Sequence, residues 1–169
     1  MNSGVIDKIT IFLNTIGLEV VMRSIDHPTF LPGLMLENGK IIADPDKLQF
    51  PGDLLHEAGH LASIPPDVRK TISGPIPDSY VSGGYELMAL AWSYAACLHI
   101  GLDPSVVFHD GGYKGEGNNL LETFANGSYI GLPMLQYLGL AYDKNKSAEL
   151  GILPYPNMVS WLNENKPVI

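Results

Sequence analysis

The sequence predicts an α+β fold: a small, mostly antiparallel three-stranded sheet packed on two helices, with further helices towards the C-terminus. Three observations carry that expectation. Residues 5–17 repeat apolar side chains at helical spacing (Val5, Ile6, Ile9, Phe12, Leu13, Ile16). Residues 19–43 contain three β-prone runs, two of them separated by Glu37-Asn38-Gly39, and Asn-Gly between apolar runs is a strong hairpin signal. Residues 87–102 are apolar except for Ser93, Tyr94 and His99, which suits a helix buried on nearly all sides. With 169 residues the chain fits one domain spanning 1–169.

The elements follow in order. The first helix ends at Gly17, a residue that stops helices readily. Glu19 to Ile25 (EVVMRSI) reads as a strand closed by Asp26-His27-Pro28. Leu34 to Leu36 and Lys40 to Ala43 form the hairpin, which Asp44-Pro45-Asp46 ends. Residues 51–63 (PGDLLHEAGHLAS) read as a helix, and 64–83, rich in Pro and Gly, as a shaped loop. The buried helix then runs from about Gly84 to Ile100, with Met88, Trp92 and Leu98 expected in the core and Gly101 as a left-handed stop. Asp103-Pro104 has the form of an N-cap followed by Pro in the first turn. Residues 109–118 form a Gly-rich loop. Helices are expected over 119–126 and 130–142, and the tail with Trp161 is expected to end in a short helix. The core thus covers about 5–102, and 103–169 form a helical extension.

Composition narrows the function. Ten Lys and Arg against 18 Asp and Glu give a net charge of −8, too few cations for a phosphate-tracking groove, so no direct nucleic-acid partner is expected. The apolar run at 87–102 falls short of the roughly 20 residues a membrane span needs, so no membrane partner is expected. Cys97 is the single cysteine, which excludes an intramolecular disulfide and a cysteine-based zinc cluster. The opening MNSGVIDKIT carries Asp7 and has no cationic stretch leading into an apolar one, so a cytoplasmic location is expected.

Chemistry concentrates in His56-Glu57-Ala58-Gly59-His60, an HExxH motif inside the helical segment 51–63. A chance HExxH in a chain of this length is an event on the order of a few in a thousand. One helical turn places His56 and His60 about 40° apart, so both imidazoles reach one metal ion from one face. Glu57 lies about 60° from His60, close enough to hold a water beside the metal and turned away from ligation, which suits a general base. Gly59 costs about 1 kcal/mol in a helix relative to Ala and so marks a close approach of another backbone. A catalytic zinc needs a third protein ligand. Position 66 is Pro66, so no third histidine follows at His60 plus six, and the candidates are Glu86, His99, His109, Asp110, Glu122 and Asp78. Glu86 opens the buried helix, where a carboxylate needs a partner, and Ala89 and Ser93 keep the same face narrow. The competing reading of Glu86 is an exposed first-turn acid favoured by the helix dipole. His109, Tyr113 and Tyr80 lie in loops and are candidate oxyanion donors. Asp53, one turn before His56, is a candidate to orient a ligand imidazole. His27 reads as a turn residue and His99 as a helix-end cation.

The strand pair, the HExxH helix and a second helix opening Glu-x-x-Ala resemble the gluzincin metallopeptidases. Residues 31–43 (LPGLMLENGKIIA), followed by HEAGH and the helix at Glu86, are similar to the minimal ImmA/IrrE-type peptidases. The resemblance covers about residues 5–102. It implies one zinc ion held by His56, His60 and Glu86, with Glu57 acting on water. It also implies a protein or peptide substrate, a repressor protein among the possibilities, bound as a strand added along an edge strand at Lys40 to Asp44. The long Pro-rich stretch between His60 and Glu86 departs from the pattern, and residues after 103 match nothing in it. The expectation is therefore a zinc metallopeptidase of narrow specificity. The alternative is a catalytically silent binding or regulatory module on the same scaffold, and a third reading is an inactive enzyme whose loop at 64–83 covers the cleft.

Overall fold

The computed structural model describes residues 3–112 and 115–164. Its fold is α+β, with one three-stranded sheet and seven α-helices among the described residues. Helix α1 (Ser3–Ile16) buries Ile6, Ile9, Phe12 and Leu13, the stripe its periodicity defines. Strands β1 (Val20–Met22), β2 (Leu34–Glu37) and β3 (Lys40–Ala43) follow. The β2–β3 hairpin turns at Asn38 and Gly39, both with positive φ (50° and 75°), the backbone that makes Asn-Gly a hairpin signal.

The sheet order is β1-β3-β2. Strand β2 pairs antiparallel with β3, and β1 pairs parallel with it, Val20 opposite Ile41. The sheet is therefore mixed, and Lys40–Ala43 is its centre and not an edge. The reason is apolarity: Ile41, Ile42 and Ala43 are all buried, whereas β1 buries only Val20. A strand with no polar face gains most from a neighbour on each side. The residues between β1 and β2 are long enough to carry β1 across to the far side of β3.

Helix α2 (Gly52–Ser63) carries the HExxH motif. Residues 64–83 include a short helix α3 (Pro66–Arg69) and a 3₁₀ turn at Asp78–Tyr80. Helix α4 (Gly84–Ile100) matches its expected span, and Gly101 stops it in the left-handed conformation at φ 70°. Met88 and Trp92 are buried as expected, but Leu98 is 44% exposed because the last turn of α4 lies at the surface. Asp103 caps the 3₁₀ turn Pro104–Val106 through Ser105 N–H at 2.8 Å.

The extension adds α5 (Gly117–Ala125), α6 (Leu132–Tyr137) and α7 (Lys144–Leu150). The helix expected over 130–142 is cut short beyond Tyr137 by Gly139, at φ 73°. Helix α7 has a sequence signal at each end: Asp143 caps it through Lys146 N–H, and Gly151 closes it at φ 68°. The described tail has no helix. It packs Trp161 against Phe12 and Trp92, and Trp92 Nε1–H donates to Trp161 O at 2.9 Å. Phe108, Phe124, Leu135, Tyr155 and Leu162 join the same buried cluster as α1, α2 and α4, so the extension completes one core. No helix among the described residues is long and apolar enough to cross a membrane.

Asp44 anchors the end of the sheet. It is buried, and its carboxylate accepts N–H bonds from Ile25 at 2.9 Å and Asp46 at 3.1 Å. The Ile25 N–H, more than any other group, holds its pKa below the ordinary 3.8. A depressed folded-state pKa means the contribution to stability is complete above the unfolded value and is lost as pH falls through the folded one. Asp44→Asn should therefore be less stable than the parent at pH 7, with a shallower loss of stability below about pH 4. Urea titrations across that range test this, and an unchanged acid slope would refute it.

Candidate metal centre

The site begins with the contact between α2 and α4. A Cβ on Gly59 would lie 3.1 Å from the carbonyl oxygen and 3.2 Å from the Cα of Ala89, so glycine is what lets the two backbones meet. One turn further on, Ser93 Oγ donates to Ala89 O at 2.6 Å and also lies 3.2 Å from Leu55 O, tying the helices together. Ala89 and Ser93 thus form the narrow face expected of them. The same approach brings the start of α4, with Glu86, onto the histidine face of α2.

There the side chains converge. His56 Nε2 lies 3.2 Å from His60 Nε2 and 3.2 Å from Glu86 Oε1, and His60 Nε2 lies 2.9 Å from Glu86 Oε2. The imidazole planes are 82° apart, so their Nε2 atoms meet while the rings do not clash. Ligand atoms about 2.0–2.1 Å from one tetrahedral ion stand about 3.3–3.4 Å from each other, close to the 3.2 Å between the two Nε2 atoms, and each carboxylate oxygen of Glu86 faces one of them. Two imidazoles and one carboxylate are a donor set that suits zinc.

His60 is buried and held from behind: its Nδ1 lies 3.3 Å from Tyr80 O. Nδ1 thus faces a backbone acceptor, and Nε2 faces the site. The group of Tyr80 that meets His60 is its backbone carbonyl, and its ring packs edge-on against Tyr85 at 6.0 Å.

Charge is unevenly settled here. Glu86 is desolvated, which opposes its ionisation, but hydrogen bonds and charge from His56 and His60 outweigh this and hold its carboxyl well below the usual range. Burial likewise opposes protonation of His56, and Glu86 overcomes it, with help from the charges of Glu57 and Asp53, so the net shift is upward. Burial pushes the Glu57 carboxyl up; the histidines pull it down, and Asp53 and Glu86 push it further up. Glu57 is half-buried beside the triangle without belonging to it.

Among the described residues, His56, His60 and Glu86 are the group of potential ligands whose atoms lie within 4.8 Å of one another. Asp78, Asp110 and Glu122 are exposed, and His99 packs against Phe12 and Trp161. Tyr113 lies outside the described residues. Asp53 and His109, assigned different roles from sequence, meet each other: Asp53 Oδ1 lies 2.9 Å from His109 Nε2. His109 Nδ1 is shielded from solvent. A separate cavity of about 900 Å³ opens beside α6 and α7, lined by Tyr129, Gln136, Lys144 and Tyr155 among others, and shares no residue with the triangle.

No protein-family model, curated protein or solved structure matches this chain. Two contributors escaped sequence reasoning. The Tyr80 carbonyl left no signal, since every residue has one, and the Ser93 tie to α2 was visible only as a small residue.

The α2–α4 contact generates a test. Gly59→Val should lose about 1–3 kcal/mol of stability in urea through overpacking against Ala89. Gly59→Ala should lose less, because a helix-propensity gain of about 1 kcal/mol offsets part of the crowding. A Gly59→Val protein as stable as the parent would show that α2 and α4 are not in contact here.

Proposed function

We propose that this chain is a zinc-dependent metallohydrolase, a peptidase of narrow specificity acting in the cytoplasm. The observation that carries the reading is the meeting of His56, His60 and Glu86 at hydrogen-bonding distances, with the Glu57 carboxylate half-buried beside them. His56 Nε2, His60 Nε2 and a Glu86 oxygen would hold the ion. When bound, zinc supplies Lewis acidity that polarises a substrate carbonyl and makes water a better nucleophile near neutral pH.

Glu57 handles the proton. Its carboxylate accepts a proton from the attacking water as the water oxygen bonds to the amide carbon, and releases it to the leaving amine nitrogen as the C–N bond breaks. Tyr80 O holds His60 with Nε2 towards the site. The substrate is an extended peptide segment. With β3 paired on both sides, an added strand has the outer edges of β1 and β2 to use. A single buried cysteine, Cys97, with its thiol pushed up to about 12 by burial, accords with a reducing compartment.

Two measurements test this. Plasma mass spectrometry of tag-free protein should find zinc in the parent and its loss in both His60→Ala and Glu86→Ala. Glu57→Gln should keep zinc while cleavage of a mixed peptide library, read by mass spectrometry, falls by about 10²–10⁴-fold. A parent without zinc after zinc is offered would overturn the metal reading. A zinc-loaded parent that cuts nothing the Glu57→Gln protein leaves intact would favour the silent binding module.

A further inference from the structure

We infer that Asp53 and His109 form a positioning pair that clasps the segment after α4 to the first turn of α2 and so holds the metal-binding face in place. The inference rests on the metal-centre reading above. Asp53, His56, Glu57 and His60 share one face of α2. Side chains on a helix lean towards its N-terminus, so the His56 imidazole lies over the turn that Asp53 occupies. The charge of Asp53 acts on both His56 and Glu57, in keeping with that closeness.

His109 comes from far along the chain, and several contacts hold it. Asp53 Oδ1 meets its Nε2 at 2.9 Å, with the two side chains only 14% and 12% exposed. Phe50, just before α2, stacks on its ring at 3.9 Å between centroids and 8° between planes. The backbones are equally close: a Cβ on Gly52 would lie 1.9 Å from Val106 O, and one on Gly111 would lie 2.5 Å from the Phe50 ring. Glycine at these positions lets the segment lie directly on the start of the helix.

Packing alone does not call for an ionisable pair. Desolvating a carboxylate and an imidazole costs free energy, and apolar residues of similar shape would hold the segment at least as well. What the pair adds is direction, because a hydrogen bond fixes the angle between its partners as well as their distance. The metal face then has a tie at each end, Tyr80 O behind His60 and His109 beside the turn under His56. Neither Asp53 nor His109 needs to touch substrate.

The test uses the full-length protein with zinc alone as the probe. His109→Phe keeps a ring on Phe50 and removes the Nε2 donor; His109→Gln places an amide N–H close to where Nε2 was; Asp53→Ser cuts the bond from the helix side. Zinc affinity is read by competition with a chromophoric chelator, site geometry by the visible bands of the cobalt-substituted protein, and folding by far-ultraviolet circular dichroism. His109→Phe and Asp53→Ser should each bind zinc about 10-fold more weakly, with altered cobalt bands and unchanged folding, and His109→Gln should recover to within about two-fold of the parent. Zinc binding by His109→Phe and Asp53→Ser at parental strength with parental cobalt bands would overturn the inference and leave the metal centre standing. A Gln variant as weak as Phe would overturn it too, by showing that the ring and not the hydrogen bond matters. A parent that binds no zinc would overturn the metal centre first, and this inference with it.

Discussion

The arrangement of the site depends on how closely α2 and α4 pack. Gly59 against Ala89 brings the two backbones within contact of each other, and the Ser93 hydroxyl bridges them one turn away. Push the helices apart by the width of one methyl group and Glu86 leaves the histidine face. Contacts of 2.9–3.2 Å between two imidazole nitrogens and the two oxygens of one carboxylate tolerate little error, since the histidines come from one helix and the carboxylate from another. A residue that is a poor helix former is thus retained in mid-helix because the tertiary contact outweighs the local propensity.

The rest of the fold secures that pair of helices. Gly131 lies so close to Leu87 O that a Cβ would stand 2.0 Å away, which seats α6 against the half of α4 that carries Glu86. At the other end of α2, Asn163 donates from its backbone to Ala62 O and from its side chain to Ser63 O, and Arg69 donates to Asn163 O. The last carbonyls of the helix are therefore satisfied by a segment a hundred residues later in sequence. The chain beyond residue 103 frames the motif helix.

Charge explains why such framing is needed. The site collects carboxylates from Asp53, Glu57 and Glu86 around two imidazoles in a half-buried setting, and each ionised group there depends on a directed partner. Glu86 has His56 and His60, and Asp53 has His109. Glu57 stands half-buried beside the triangle, and burial pushes its carboxyl up. An arrangement of like charges this dense would disperse without a scaffold that holds the partners in register.

Much of this was readable from the residues alone. The HExxH helix, the Asn-Gly hairpin, the extent of α4 and the Asp103 cap all follow from periodicity, turn chemistry and capping, and those act over a few neighbouring positions. Even α7 had both its signals in place, Asp143 before and Gly151 after. Glu86 stood among six candidates, favoured by the cost of an unpartnered acid on a buried helix. Strand order, the parallel docking of β1 on β3, the Tyr80 carbonyl behind His60 and the meeting of Asp53 with His109 were decided by the tertiary structure. Each depends on which distant segments share a surface. A backbone carbonyl is the same in every residue, and an acid and a histidine 56 positions apart show no sign of each other until the chain folds.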